Sequence, residues 1–300
     1  MARGGSAVVT GIGDDAAVLR VQPGHELLVT TDFSIEGVHF RRDWHPAQTA
    51  GWRTLARGLS DIAAMGGEPA AAFLSLAAAG DVPQPWIDKF LRGFLDLAAR
   101  HKVPLAGGDT AQATSGIQVD VVVVGSVPRG KAVLRSGAKS GDRIYVTGEL
   151  GGAAWALSRL RQSLPLPAEY SRSFRPGPRI AVGRWLRQQG IASAMIDISD
   201  GLSTDLGHIC EESGAGALVE AEAIPRAAAP GSKAVALEYA LHGGDDYELL
   251  FTSAKGVPAR IAGVPVTAIG RIRRSRGMVL VEAGGARRTL RPGGWEHFAG

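Results

Sequence analysis

The 300-residue chain has one cysteine, Cys210, and no uninterrupted apolar run as long as a membrane span. A single cysteine excludes an internal disulfide framework and fits a reducing compartment. A membrane-spanning helix needs about 18 to 20 mostly apolar residues, so we expect no membrane span. The N-terminal residues also lack the pattern of a signal peptide. The sequence therefore predicts a cytoplasmic protein.

An excess of one charge is also lacking. Lys and Arg number 33 and Asp and Glu 29, which gives a net charge of +4 and a pI near 9.4. This excess is too small to indicate nucleic-acid binding. Aromatic residues are few, at 6%, but hydrophobic residues reach 45%, which excludes a disordered chain. Glycine is abundant, with 41 residues, and most glycines lie where apolar runs stop.

Short apolar runs alternate with helical patterns along the chain. The helical periodicity predicts three helices, namely Ala47–Met65, Trp86–Arg100 and Leu202–Glu212. Apolar runs with turn residues at their ends predict strands, namely Glu26–Asp32, Ala71–Leu76, Ile117–Val127, Arg143–Thr147, Ala194–Ile198 and Tyr247–Thr252. The polar stretch Pro128–Asp142 reads as the crossing between two halves, residues 1–128 and 129–300. A proline-rich insert, Leu164–Pro178, reads as a surface loop. The predicted fold class is α/β or α+β.

Two segments resemble phosphate-binding loops, and both are rejected. Residues 11–16 fit G-x-G-x-x-A, but the following Ala17–Val21 reads as a strand rather than the helix that would hold a pyrophosphate. Residues 125–132 resemble G-x-x-x-x-G-K-[ST]. There Ala132 lacks the hydroxyl for Mg²⁺, and Pro128 removes a backbone N–H donor.

Aspartates recur at the ends of the apolar runs, often beside a hydroxyl or a glycine pair. Each has a structural alternative: Asp200 could cap a helix, and Asp109 could close a turn. If strand ends and helix starts meet at one edge, however, several carboxylates share a cleft. Two such charges about 5 Å apart repel by about 3 kcal/mol at an effective dielectric near 20. Cations would then be needed, and carboxylates with hydroxyls suit Mg²⁺ bound together with phosphates rather than zinc.

Eight motifs, in order along nearly the whole chain, strongly resemble the thiamine-monophosphate kinase family. They are GIGDDAA (11–17), TTD (30–32), GVHF (37–40), LSDIAAMGGEP (59–69), GGDT (107–110), RSGAKSGDRIYVTG (135–148), IDISDGLSTDLGHI (196–209) and HGGDDYELLF (242–251). The resemblance implies a two-domain fold like that of aminoimidazole ribonucleotide synthetase. In it, the N-terminal half pairs across a homodimer to build a shared β-barrel, and the C-terminal half closes over the nucleotide.

The reaction that the resemblance implies transfers the γ-phosphoryl group of ATP to thiamine monophosphate, giving thiamine diphosphate and ADP. The implied Mg²⁺ ligands are Asp15, Thr30, Thr31, Asp32, Asp61, Asp109, Asp197 and Asp200. Of these, Asp32, Asp61, Asp109 and Asp200 are the implied catalytic residues. The implied ATP contacts are Gly108, Asp109, Arg135 and Ser199, and the implied substrate contacts are His39, Asp245 and Trp295.

The residue types agree with this chemistry. The acceptor is a phosphate oxygen whose second pKa lies near 6, so it is mostly deprotonated at neutral pH and needs no general base. The difficulty is to bring two polyanions together, which Mg²⁺ and an arginine such as Arg135 can relieve. Where many relatives have Glu, this chain has the shorter Asp245.

Two other readings stay open at this point. Other enzymes of the superfamily share the fold, in particular aminoimidazole ribonucleotide synthetase and the hydrogenase maturation dehydratase, whereas selenophosphate synthetase is disfavoured because the only cysteine lies in a predicted helix. A nucleic-acid-binding module could also use the C-terminal arginines, Arg271, Arg273, Arg274, Arg276, Arg287, Arg288 and Arg291. A solvated hairpin face explains those arginines better, so no nucleic-acid partner is expected.

Overall fold

The computed structural model describes residues 7–166, 174–229 and 234–295. The chain forms two compact units. The first comprises Met1–Ile62 and Gly67–Ala132, and the second comprises Ala63–Gly66 and Val133–Gly300. No helix in the described ranges is long and apolar enough to traverse a bilayer.

The first unit is built on a four-stranded sheet with the order β3-β6-β4-β5, in which only the β4–β5 pair is parallel. A separate antiparallel pair, β1–β2, precedes it. The strands are β1 (Val8–Thr10), β2 (Val18–Leu19), β3 (His25–Ile35), β4 (Glu68–Ala78), β5 (Leu105–Gln112) and β6 (Ile117–Pro128), and the helices are α1 (Ala47–Ala64) and α2 (Gln84–His101).

Helices α1 and α2 cross at two glycines that bring their backbones into contact. A Cβ atom on Gly51 would lie 1.9 Å from the carbonyl oxygen of Phe90, and one on Gly93 would lie 1.8 Å from that of Gln48. Both distances are far below any allowed contact, so only glycine fits at either position. The close crossing also buries the apolar stripes of both helices, including Leu59 of α1.

Strand β3 is an edge strand with two different faces. Successive side chains of a strand point to opposite sides. Leu28 and Ser34 on one face are buried, whereas Leu27, Val29 and Phe33 on the other are 51%, 64% and 61% exposed. The unit therefore has an apolar sheet face that no described part of the chain covers.

The second unit is built on an eight-stranded sheet with the order β14-β13-β9-β12-β7-β10-β8, with β11 paired to β12. Its strands are β7 (Arg143–Thr147), β8 (Ala194–Asp197), β9 (Gly216–Glu220), β10 (Leu249–Ser253), β11 (Arg260–Ile261), β12 (Val264–Arg273), β13 (Gly277–Val281) and β14 (Arg287–Leu290). Its helices are α3 (Gly152–Arg161), α4 (Ile180–Gln188), α5 (Leu202–Glu212) and α6 (Leu237–His242).

Both faces of this sheet are covered, as strands β7 and β10 show. Ile144, Val146 and Leu250 belong to one core cluster, with α5. Tyr145 and Phe251 belong to the other, with α4, and their rings stack with centroids 5.2 Å apart. The apolar runs of these strands are continuous because each face packs against helices.

The structure confirms the mixed α/β class, the six predicted strands and the three predicted helices, with shifted ends. The structure also agrees with the rejection of both phosphate-binding motifs. Residues 11–16 are followed by strand β2 and not by a helix, and the segment 125–132 begins inside strand β6, which ends at Pro128. Part of the predicted insert Leu164–Pro178 lies outside the described residues.

Candidate active site

In the first unit, strand β3 and helix α1 bring two carboxylates together. Thr30 and Asp32 lie on the β3 face that α1 covers, and the Thr30 hydroxyl donates a hydrogen bond to the Asp61 carboxylate. Burial, and then the nearby Asp61 charge, together raise the pKa of Asp32 from 3.8 to about 7, against the effect of Arg57, which lowers it. Ionisation of one of the two carboxyl groups therefore disfavours ionisation of the other, unless a bound cation offsets the repulsion.

Thr31 points to the opposite face of β3. Its hydroxyl donates to Asp120 on β6 at 2.6 Å. The three residues of the Thr-Thr-Asp motif therefore do not present their side chains to one place. Successive side chains of a strand point to opposite faces, so the Thr31 side chain lies opposite those of Thr30 and Asp32. This orientation could have been predicted from the sequence once the strand was assigned.

The remaining residues predicted for the site in this unit lie on edges and loops. Asp109 is exposed on edge strand β5, where its carboxylate accepts the N–H of Thr110 at 2.8 Å. The interpretation of Asp109 as a turn residue is thus wrong. Gly108 has a φ of +155°, and a Cβ there would lie 2.0 Å from the carbonyl oxygen of Leu74. Asp15 is exposed in the segment between β1 and β2.

His39 lies in the segment that follows β3. Its Nδ1 accepts the backbone N–H of Ile35 at 3.1 Å. An imidazole whose Nδ1 accepts carries its proton on Nε2 when it is neutral. His39 can therefore donate a hydrogen bond through Nε2 without changing its charge.

In the second unit, the turn between β8 and α5 is held by a carboxylate that the sequence analysis did not single out. Asp205 accepts the backbone N–H groups of Ser199, Asp200 and Gly201 at 3.1, 3.2 and 3.0 Å. Burial, and then the charge of Asp200, raise the pKa of Asp205 to about 7, against the three N–H donors. Helix α5 is capped by Gly201, so the alternative reading of Asp200 as the cap is wrong. Asp197, at the end of β8, is buried.

Two distant segments contact this turn. The N–H of Asp245 donates to the carbonyl of Ser199 at 2.8 Å, and the N–H of Trp295 donates to the carbonyl of Asp200 at 3.2 Å. The Tyr247 hydroxyl donates to the Asp245 carboxylate at 2.8 Å. Asp245 and Tyr247 have φ values of +68° and +52°, which non-glycine residues seldom adopt. Residues predicted for ATP and for substrate thus share one corner of the second unit.

Two further buried carboxylates follow Asp245 and were missed by the sequence analysis. Asp246 accepts the N–H of Gly151, at the start of α3, at 2.7 Å, and burial raises the pKa of Asp246 well above its ordinary value. Glu248 pairs with Arg179 in two hydrogen bonds, one of 2.6 Å from Nε, and accepts the Thr147 hydroxyl at 2.5 Å. These groups fix the segment that carries Asp245. Arg135 is exposed in the loop before β7.

No group of three or more His, Cys, Asp or Glu side chains within residues 7–166, 174–229 and 234–295 is arranged to hold a metal ion. What the first unit offers is the Asp32–Asp61 carboxylate pair with the Thr30 hydroxyl beside it. Hard oxygen donors in this number fit Mg²⁺, which keeps water and phosphate oxygens as its remaining ligands.

Comparison with known proteins extends this picture. Residues 13–127 match the family described as AIR synthase related protein, N-terminal domain, and residues 139–290 match its C-terminal domain. The chain is 40% identical to the thiamine-monophosphate kinase of Salmonella typhimurium over 97% of this chain and 93% of that one.

Solved structures agree with these matches. The thiamine-monophosphate kinase from Stenotrophomonas maltophilia superposes with a TM-score of 0.82 at 38% identity, covering 91% of each chain. The structure of AaThiL complexed with AMPPCP and TMP superposes with a TM-score of 0.80 at 31% identity, covering 93% of this chain and 89% of that one.

Proposed function

The chain belongs to the AIR synthase related family and, within it, to the thiamine-monophosphate kinases, and on that premise we propose how its residues carry out the reaction. It is an ATP-dependent phosphotransferase that transfers the γ-phosphoryl group of ATP to thiamine monophosphate. The products are thiamine diphosphate and ADP. The predicted activity is thereby confirmed, and the roles of individual residues are proposed on that basis.

Asp32 and Asp61 would hold Mg²⁺ in the first unit, with Thr30, Asp15 and Asp109 as further oxygen donors. The support is the donor set itself: two neighbouring carboxylates, both partly buried, beside a hydroxyl. The Thr31 side chain lies on the opposite face of β3, where it contacts Asp120, so Thr31 would contribute through its backbone carbonyl rather than its hydroxyl. Bound Mg²⁺ supplies charge neutralisation across the phosphates.

In the second unit, Asp197 and Asp200 would also be metal ligands. Asp205 keeps the Ser199–Gly201 turn in place because it accepts three successive N–H groups. The turn then presents the Ser199 hydroxyl to ATP. Arg135, which makes no side-chain hydrogen bond or ion pair with a described residue, offers a forked cation for phosphate oxygens. In the first unit, Gly108, with no side chain, would let the β5 backbone approach the nucleotide.

For the acceptor substrate, Trp295 offers a flat aromatic face to the thiamine heterocycle and Asp245 a carboxylate to its polar groups. Their support is that both backbones bond to the Ser199–Asp200 turn. His39 would donate from Nε2 to the acceptor phosphate. No residue needs to act as a general base, because the acceptor phosphate is already mostly deprotonated at neutral pH.

We also propose a homodimer in which β3 contributes to a β-barrel shared between two copies. The support is the exposed apolar face of Leu27, Val29 and Phe33 on an edge strand, which a monomer would leave in water. The free, buried Cys210 supports a reducing compartment, and hence the cytoplasm, as its location.

The observation that carries these assignments is that Asp245 and Trp295, each far along the chain from Ser199 and Asp200, bond to the turn that those two residues form. A coupled ADP-release assay tests the function by comparing thiamine, thiamine monophosphate and aminoimidazole precursors as acceptors. ADP release that depends on thiamine monophosphate supports the assignment, and release with an aminoimidazole precursor instead would favour a synthetase. Strong DNA binding with a steep salt dependence would support the nucleic-acid module.

A further inference from the structure

A cavity of the second unit lies at the far end of α5 from the Ser199–Asp200 turn. Its volume is about 400 Å³, and α5, β13 and β14 line it. Cavities that bind small molecules begin at about 300 Å³. This one takes no part in the phosphoryl transfer described above.

The interior of the cavity is apolar. Cys210, Met278 and Leu290 line it and are all buried, at 6%, 6% and 2% exposure. The thiol of Cys210 behaves as a small apolar group, since burial raises its pKa to about 11. A ligand that enters must therefore have an apolar body.

The rim of the cavity carries two exposed arginines, Arg276 and Arg291, and one glutamate, Glu211. Within the described residues, neither arginine side chain makes a hydrogen bond or an ion pair. Two forked cations without partners beside an apolar interior are complementary to an anionic group on an apolar body.

We propose that this cavity binds a small organic anion, with its apolar part against Cys210, Met278 and Leu290 and its anionic group between Arg276 and Arg291. The residues after Arg291 connect the cavity to the substrate end of α5. Pro292 lines the cavity, and the N–H groups of Gly293 and Gly294 donate to Ser203 and Thr204 at 3.3 and 3.1 Å. Occupancy of the cavity is thus transmitted to Trp295, a consequence that rests on the proposed role of Trp295.

The only thiol of the chain lines the cavity, so a ligand in the cavity should protect it from alkylation, which is slow because the thiol is buried and its pKa is raised. The probe is 8-anilinonaphthalene-1-sulfonate, and its matched control is N-phenyl-1-naphthylamine, which lacks the sulfonate. We expect the sulfonate to slow alkylation of Cys210 by iodoacetamide at least fivefold at saturation, and the neutral analogue to protect far less.

Two variants locate the anionic group. Arg276→Gln and Arg291→Gln should each raise the probe concentration needed for half-maximal protection by about tenfold, as the loss of a charge-assisted hydrogen bond does. Arg274→Gln, an exposed arginine on the same hairpin but outside the cavity, should leave protection unchanged. Equal protection by both probes, no protection, or unchanged protection in both cavity variants would overturn the site.

Kinase assays with the same probe test the link to Trp295. We expect a change of at least twofold in the KM for thiamine monophosphate that Arg276→Gln abolishes, while Arg276→Gln without probe keeps the wild-type activity. An unchanged KM under full protection of Cys210 would overturn the link. Because alkylation needs no turnover, a failure of the proposed kinase function would be recognised separately.

Discussion

Replacement of Arg179 by methionine should show how strongly the second unit depends on one ion pair, in which the glutamate is buried and the arginine is partly buried. The Glu248 carboxylate is 5% exposed and receives two hydrogen bonds from Arg179, and their attraction raises the pKa of the Arg179 guanidinium although burial opposes its charge. Methionine keeps most of the side-chain volume but removes the cation. Glu248 would then remain buried, and among the described residues only the Thr147 hydroxyl would still donate to it from a side chain.

The expected cost follows from that geometry. Breaking a buried pair by removing one partner costs about 3–5 kcal/mol, because an uncompensated charge stays behind. Because Glu248 keeps the hydrogen bond from Thr147, we expect Arg179→Met to lower the free energy of unfolding by about 3 kcal/mol, the lower end of that range. For a domain of 150–250 residues, about 1 kcal/mol lowers Tm by about 2–4 °C, so a fall of about 6–12 °C is expected.

Scanning calorimetry measures this fall, and two variants control it. Arg187→Met removes a guanidinium whose Nε bonds a neutral carbonyl, that of Gly66, at 2.6 Å, and should cost only about 1–2 kcal/mol. The double variant Arg179→Met/Glu248→Gln removes both charges and should regain most of the loss. A double variant as unstable as Arg179→Met alone, or a single variant that loses less than about 1 kcal/mol, would refute the reasoning.

Four further outcomes are expected. Asp32→Asn should lower kcat by about 10²–10³-fold, because a metal-bearing charge is lost, while Tm stays equal or rises; unchanged kcat at saturating Mg²⁺ would contradict the role. The pKa of Asp32, raised to about 7, means that the metal-free protein loses stability as pH rises from about 4 through 7. Mg²⁺ should therefore raise Tm more at about pH 8 than at about pH 6, and the reverse order would refute the cause. His39→Ala should raise the KM for thiamine monophosphate roughly tenfold through a lost hydrogen bond to a charged group, and a change in the KM for ATP alone counts against it. Light scattering at micromolar concentration should give a dimer mass that Phe33→Glu reduces to that of a monomer, whereas a wild-type monomer would remove the proposed barrel.

The secondary structure and the family could be predicted from the sequence because their signals are local. The apolar residues of α1, such as Leu55 and Leu59, recur at helical spacing. The family motifs are short, continuous stretches of sequence that occur in the expected order. The orientation of Thr31 was also predictable, since it follows from strand alternation once β3 is assigned. The family resemblance, however, implied that Thr31 is a Mg²⁺ ligand together with Thr30, and strand alternation was not considered.

The buried carboxylates could not be predicted in the same way. Asp246 and Glu248 are stabilised by a backbone N–H group or an arginine from distant segments, and those contacts exist only after the sheet has formed. The contacts of Asp205 are local, because it accepts N–H groups four to six residues before it. In the sequence, Asp205 looks like an ordinary polar residue of a helix's first turn. Only the structure shows that it holds the turn on which Ser199 and Asp200 lie.

The close contact of α1 and α2 at Gly51 and Gly93 should make these two positions highly sensitive to substitution. Helix α1 carries Asp61, and its distance from α2 is set by backbone atoms touching at Gly51 and Gly93. Even alanine at either position would wedge the helices apart and displace the carboxylate with them. In a saturation screen these two glycines will therefore score as intolerant as active-site aspartates, although neither of them has a side chain with which to touch a substrate.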